Sequence, residues 1–201
     1  MAIFRFSNAG GFGTYQRYND FLAGNPTTPV NLDFGSMFPL GVFTLSSAQA
    51  TVTFSNIPQT YTHLQIRWIS KSTNTGSYNW INFNGDTSSL YANHYLYGQG
   101  SNPLLAGADI NQARINLYGS SVTSSQANTF ASHVIDILDY RNTNKFKTVR
   151  ALGGQDSNGS GVIFLSSGLW RSANAITSIT ITPNSDNLAT NSSFALYGVQ
   201  A

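Results

Sequence analysis

From residue 49 onward, apolar and polar residues alternate in short segments separated by turn-forming residues. Residues 63–68 (HLQIRW) place Leu64, Ile66 and Trp68 on one side of an extended chain, because side chains alternate sides along a β-strand. Similar segments bring the predicted strands to about ten, the others being 49–54, 77–83, 91–97, 113–118, 129–138, 146–152, 162–167, 176–182 and 193–199. Strands that follow one another without helical periodicity predict an all-β fold, an antiparallel two-sheet sandwich of the jelly-roll type.

The first 44 residues lack this alternation. They are rich in Gly and Pro, which interrupt regular structure, and yet they carry many aromatic rings. We therefore predict an irregular N-terminal arm over residues 1–44 and a β-sandwich domain over residues 45–201. The arm either folds back onto its own domain or contacts a neighbouring subunit or another protein, and the side chains expected at that interface are Phe4, Arg5, Phe6, Tyr15, Arg17, Tyr18 and Phe21.

The composition narrows the class of protein. Of the 201 residues, 41% are hydrophobic, enough for a substantial core, and only 9% are charged, against about 25% in ordinary soluble domains. All acidic residues are Asp, and Asp, Ser, Thr and Asn favour turns over helices. The net charge of +2 comes from 10 basic and 8 acidic residues without a basic cluster, so we expect no nucleic-acid partner.

Three further absences bear on location and on redox chemistry. The chain has no Cys, which excludes disulfides and thiolate metal sites. We find neither a secretory signal nor an apolar run of about 20 residues, the length of a membrane-spanning helix. The expectation is a soluble protein made in a bacterial cytoplasm, with no membrane partner.

Candidate catalytic and metal-binding groups are few. His63, His94 and His133 lie on three different predicted strands, without the close spacing of a shared metal site. Asp136 and Asp139 could divide acid and base roles, or they could be a buried Asp followed by a turn Asp. Residues 156–160 (DSNGS) resemble a calcium loop but lack its final Glu and flanking helices, which favours a surface turn. We therefore expect no cofactor, no bound metal and no enzymatic activity.

Aromatic residues remain as candidates for binding. Trp68, Trp80 and Trp170 could lie in the core, stack on a sugar or anchor a protein contact, since large rings with a polar atom suit each role. Tyr91, Tyr95 and Tyr97 share one side of a predicted strand and form the candidate contact with a glycan or a protein.

Six segments, taken together and in order, resemble a family of small β-sandwich virion structural proteins of tailed bacteriophages, including cyanophages. The resemblance covers residues 49–200, and its segments are 57–64 (IPQTYTHL), 83–87 (FNGDT), 135–140 (IDILDY), 144–152 (NKFKTVRAL), 168–170 (GLW) and 193–199 (SFALYGV).

The resemblance implies a structural component of the phage particle and carries over no catalytic residues. We expect a capsid decoration or cement protein that docks on the shell through its N-terminal arm and stabilises it. The alternative is a tail-fibre or head-appendage module that binds a glycan on the host surface. The expected location is the virion surface, the expected partners are the major capsid protein or other virion proteins, and the expected oligomer is a homotrimer.

Overall fold

The computed structural model describes residues 6–7, 31–32, 36–73, 78–100, 102–118 and 127–200. The chain divides into two compact units, Met1–Phe38 and Pro39–Ala201. In the first unit, strand β1 (Phe6–Ser7) pairs antiparallel with β2 (Asn31–Leu32), and Phe6 lies opposite Leu32. The other predicted arm contacts lie outside the described residues, namely Phe4, Arg5, Tyr15, Arg17, Tyr18 and Phe21.

Twelve further strands form two antiparallel sheets. The larger sheet has eight strands in the order β3 (Met37–Thr44), β14 (Ser193–Val199), β5 (His63–Ser70), β10 (Ala131–Leu138), β11 (Lys147–Asp156), β12 (Gly161–Trp170), β7 (Tyr91–Gln99) and β8 (Leu105–Gln112). The smaller sheet has four strands in the order β4 (Val52–Phe54), β13 (Ile179–Pro183), β6 (Tyr78–Phe83) and β9 (Ile115–Tyr118). The described residues contain no helix, and the predicted all-β antiparallel sandwich is confirmed.

The ten predicted segments each overlap an observed strand, and two of the twelve strands in the two larger sheets were not predicted. One is β3, which falls within the stretch assigned to the arm and contains Pro39 and Gly41. The other is β8, whose sequence LAGADINQ is rich in residues that are uncommon in strands. Both lie at an edge of the larger sheet, where a strand has one neighbour and needs fewer apolar side chains.

A single core fills the space between the two sheets. Ile66 and Ile135 lie directly opposite each other in the larger sheet, and Ile81 and Ile181 do so in the smaller one. All four are fully buried. The two sheets pack tightly at Gly168, where an added Cβ would lie 2.8 Å from the Ile115 side chain. Glycine at position 168 is therefore needed for the sheets to pack at this distance.

One buried cation lies at the end of this core. Lys147 is fully buried, and its Nζ donates hydrogen bonds to the carbonyl oxygens of Asn142 (2.5 Å), Lys145 (2.8 Å) and Ala173 (3.2 Å). Burial lowers the pKa of Lys147, because removal from water disfavours its charged form. The three carbonyls supply the acceptors that the ammonium group requires, and they connect the β10–β11 turn to the segment after β12.

Candidate interaction surface

The outer face of the larger sheet, opposite the core, carries a line of exposed apolar side chains. Val134, Leu152, Leu165 and Leu96 are direct cross-strand neighbours on β10, β11, β12 and β7. Their exposed fractions are 39%, 53%, 49% and 40%. We call these four residues the apolar row. On β8 the next residue in line is Ala106, which is also exposed.

A shallow groove of about 660 Å³ lies beside the apolar row, toward the β11–β12 turn. Its floor includes Gly154, Ile163 and Gly98, which are cross-strand neighbours on β11, β12 and β7. Ile163 is 64% exposed, and the two glycines leave space on either side of it. Gly154 is required by packing, since an added Cβ would lie 2.2 Å from the Val162 carbonyl oxygen. The groove and the apolar row together form an open, largely apolar surface.

A second line of residues on the outer face is polar. It runs through Gln65, Asp136, Arg150, Ser167 and His94, which are neighbours across β5, β10, β11, β12 and β7. Gln65 Nε2 donates to Asp136 Oδ1 (2.8 Å), and Arg150 Nη2 lies 3.8 Å from Asp136 Oδ2. Both carboxylate oxygens of Asp136 are therefore engaged within the sheet.

Asp139 has a different set of partners. It lies in the turn after β10 with a positive φ of 49°, and its backbone N–H donates to His63 Nδ1 (2.9 Å). Lys145 Nζ donates to Asp139 Oδ2 (2.7 Å), and this hydrogen bond holds the pKa of the Asp139 carboxyl below its usual value. The structure thus gives Asp136 and Asp139 separate basic and amide partners instead of the shared site that an acid–base pair requires.

The other candidate polar groups are also placed apart. His94 is exposed on the outer face, His63 is bound to the Asp139 turn, and His133 is buried in the core. Residues 156–160 form the hairpin turn between β11 and β12, with positive φ at Asn158 (59°) and Gly159 (93°), as in a type I′ turn. In the described parts of the chain, no group of three or more His, Asp, Glu or Cys side chains could hold a metal ion.

Tyr91 is part of the core and is not available to a ligand at the surface. Its ring is fully buried and nearly parallel to that of Trp170, at a centroid distance of 6.1 Å. Its hydroxyl accepts a hydrogen bond from the Phe83 N–H (3.0 Å) and donates one to the Asp86 carbonyl (3.1 Å). Trp68 and Trp170 are buried as well, so Trp80 is the tryptophan closest to the surface. The Arg114 guanidinium lies 3.7 Å from the centre of the Trp80 ring and covers one of its sides.

Tyr95 and Tyr97 are half-buried, and they join Tyr118 and Tyr78 in a cluster that we call the tyrosine cluster. Tyr118 lies between the others, with ring-centre distances of 4.6 Å to Tyr95, 5.7 Å to Tyr97 and 5.3 Å to Tyr78. Burial raises the pKa of Tyr118, because removal from water disfavours the charged phenolate. Tyr95 and Tyr97 thus lie on one side of β7, as predicted, but they contact each other and Tyr118 more than they face solvent.

The apolar row could not be found by examining each strand alone. Its members are separated by 13 to 38 positions in the sequence and meet only when four strands pair in register. A sequence signal does exist, because β10 (ASHVIDIL) and β12 (GVIFLSSGLW) carry apolar residues at both parities. An antiparallel strand with one solvated face normally alternates, so apolar residues at both parities indicate a second apolar face.

Comparison with known proteins gives little further information. No family model matches the chain, and no curated protein matches it. Among solved structures, the chain is similar to galectin LEC-6 of Caenorhabditis elegans, with 10% sequence identity over 85% of this chain and 100% of that chain, and a TM-score of 0.33. A likeness of this size carries no argument about family or binding. In the described residues, no helix is long and apolar enough to cross a membrane.

Proposed function

We propose that the protein is a non-enzymatic structural component of a phage particle, a capsid decoration or cement protein that docks on other virion proteins. Two independent observations support the two parts of this proposal. The six sequence segments described above resemble phage virion proteins, and this resemblance is the source of the phage assignment. The exposed apolar row is the structural observation that supports docking on a protein.

The apolar row fits a protein partner because of its size, its shape and its lack of charge. The exposed face of an antiparallel sheet is usually polar, and contiguous exposed apolar patches mark interaction sites. The four side chains lie in one line on a rigid sheet, so binding does not require ordering a loop. Burying them against a partner stabilises the complex by about 25 cal/mol for each Å² of apolar surface removed from water.

The predicted arm contributes separately to this proposal. Its aromatic and basic side chains, Phe4, Arg5, Phe6, Tyr15, Arg17, Tyr18 and Phe21, would add contacts to the shell or to a neighbouring subunit. A variant that lacks residues 1–35 keeps strand β3 complete and loses only the contacts made by the arm. Substitutions in the apolar row lose only the contacts made by the sheet face, so the two sets of variants separate the two contributions to binding.

The docking role is tested with purified particles that lack this protein. We expect the double variant Leu152→Ser and Leu165→Ser to bind such particles roughly tenfold more weakly or worse, since about 1.4 kcal/mol corresponds to a factor of ten. The matched control is Thr53→Ala and Thr180→Ala, a hydrogen-bonded, exposed pair on the outer face of the smaller sheet. Equal binding by the two double variants, with unchanged melting temperatures, would contradict docking through the apolar row.

The copy number of the protein decides between the two kinds of virion component. Quantitative mass spectrometry of purified virions should find copies on the scale of the major shell protein for a decoration or cement protein. A few copies per particle would favour a tail-fibre or head-appendage module, and absence from virions would contradict the phage assignment.

The tyrosine cluster favours a second candidate function, binding of a host-surface glycan by an appendage module. Asp109 lies beside this cluster, and its Oδ2 accepts hydrogen bonds from Asn93 Nδ2 (3.2 Å) and Asn116 Nδ2 (2.8 Å). Aromatic rings offer a large apolar surface for the apolar face of a sugar ring, and the carboxylate and amides beside them can hydrogen-bond to sugar hydroxyls. A glycan array would test this candidate, with Tyr97→Ala expected to abolish a signal that Tyr197→Ala, on the opposite face of the sheet, leaves unchanged.

A further inference from the structure

The chain contains two Asn-Gly pairs, Asn84–Gly85 and Asn158–Gly159. Both are the central residues of tight turns and have positive φ, 55° and 67° in the first pair and 59° and 93° in the second. Asn is a thermolabile residue, and a following Gly leaves its own backbone nitrogen open to attack because it has no Cβ. An added Cβ would meet nothing within 4 Å at either glycine. The two turns thus offer the same local chemistry, and they differ in what holds the Asn side chain.

The side chain of Asn84 is held at both ends of its amide group. Its Nδ2 donates to the Ala175 carbonyl (2.8 Å). Its Oδ1 accepts from the Thr177 N–H (2.8 Å), the Thr177 hydroxyl (3.1 Å) and the Ser178 N–H (3.1 Å). The Asn84 amide carbon cannot rotate toward the Gly85 nitrogen unless these hydrogen bonds break.

The side chain of Asn158 lacks such restraints. Asn158 is exposed at the tip of the β11–β12 hairpin, and no hydrogen bond of its amide group is found within the described part of the chain. The Ser157 N–H donates to the Ser160 carbonyl across the turn (2.6 Å). The Gly159 N–H donates to Asp156 Oδ1 at 3.2 Å, the long end of the range for such hydrogen bonds. Neither contact holds the Asn158 side chain away from the Gly159 nitrogen.

We propose that Asn158 is a site of spontaneous deamidation in the folded protein, and that Asn84 is protected from the same reaction by its hydrogen bonds. The Gly159 backbone nitrogen attacks Cγ of Asn158 and forms a new N–Cγ bond. The Cγ–Nδ2 bond breaks, and the amide nitrogen leaves as ammonia with the proton that the Gly159 nitrogen gives up. Water then opens the resulting succinimide ring at one of its two carbonyl carbons, which yields either aspartate or isoaspartate.

Both products add a negative charge beside Asp156. Asp156 and Gly159 line the groove next to the apolar row, so the new charge lies at the edge of the candidate interaction surface. The formal net charge falls by one from +2, a large relative change in a chain with few charged residues. Isoaspartate also lengthens the backbone by a CH₂ group within a turn whose geometry depends on two central residues. This inference concerns the chemistry of the turn and does not depend on the proposed phage role.

Peptide mapping by mass spectrometry tests the site after incubation of the purified protein at mildly alkaline pH. The peptide that contains Asn158 should gain the mass that accompanies exchange of an NH₂ group for OH. We expect this reaction to be at least about tenfold faster than that of Asn84, which must first lose several hydrogen bonds. In strong denaturant the two peptides should react at similar rates, because both Asn residues precede Gly and the fold no longer holds either side chain.

Asn158→Ser is the matched control, since it removes the reactive amide from the exposed turn. Ion-exchange chromatography of the incubated wild type should resolve a more acidic form that this variant does not produce. Equal rates at Asn84 and Asn158 in the folded protein overturn the proposal, because the hydrogen bonds of Asn84 would then give no protection. Reaction of Asn158 only in denaturant also overturns it, by showing that the folded turn prevents ring closure.

Discussion

The two faces of the larger sheet are made of alternating residues of the same strands, and they differ in what covers them. On β10, Ile135 and Ile137 point inward and are fully buried, whereas Val134 between His133 and Ile135 points outward and is 39% exposed. Both sets are apolar, so hydrophobicity alone does not say which face forms the core. The smaller sheet covers only the inner face. We therefore expect different results for matched substitutions on the two faces.

The largest difference is expected for apolar truncations. Ile66→Ala removes a fully buried side chain that lies opposite Ile135, and it should lower the free energy of unfolding by about 2–5 kcal/mol through lost burial and a cavity. Leu152→Ala on the outer face should change it by less than about 0.5 kcal/mol. Urea denaturation of both variants measures the two values. Equal losses would mean that Leu152 is covered in the isolated protein.

Acid should lower the stability of the fold through protonation of His133, which is buried on the inner face of the larger sheet. Burial among Trp68 and Phe164 lowers the pKa of His133 to about 4, so the folded protein holds the imidazole neutral. In the unfolded chain its pKa is about 6.5. Because the unfolded state therefore binds the extra proton first, stability is fully present above pH about 6.5 and falls between pH about 6.5 and 4, by about 3 kcal/mol in total.

The exposed His94 provides the control for this pH dependence. Denaturant unfolding at several pH values should show the fall in the wild type and in His94→Gln, because His94 is solvated in both states. In His133→Gln the fall between pH about 6.5 and 5 should be absent, even though the variant is less stable at neutral pH. A His133→Gln variant that retains the same slope would assign the effect to other groups.

The smallest effect is expected for the polar line on the outer face. Asp136→Asn removes the ion pair with Arg150, whose side chain is 65% exposed, and it should lower stability by less than about 1 kcal/mol. A double-mutant cycle with Arg150→Gln measures the coupling between the two side chains. A coupling of several kcal/mol would show that this part of the outer face is shielded from water in the isolated protein.

The sequence predicted the strands better than it predicted their surroundings. Strand β14 was predicted with its observed bounds, because apolar residues alternate with other residues at positions 194 and 196. Strand β8 was missed because Ala, Gly, Asp and Asn give it no apolar periodicity, and its pairing with β7 is a tertiary effect. Local pattern also could not separate the fully buried Tyr91 from Tyr95 and Tyr97, which lie on the same side of β7 but are only half-buried against Tyr118 of β9, an edge strand of the smaller sheet.

The candidate surface was harder to predict than the fold because it depends on how strands pair and on how the two sheets pack. Leu96, Val134, Leu152 and Leu165 each look like core residues within their own strands. Their shared exposure depends on the register of four strands and on which face the smaller sheet covers, and neither quantity is encoded in a local segment.

The buried Lys147 is also a natural probe of local opening of the fold around the β10–β11 turn. Lys145, two positions earlier, has a 61% exposed side chain, so amine-reactive reagents should modify it in the folded protein. Lys147 can react only when its three carbonyl contacts break and water reaches its ammonium group. The ratio of labelling rates at these two positions therefore measures how often the end of the sandwich at the β10–β11 turn opens, without any engineered probe.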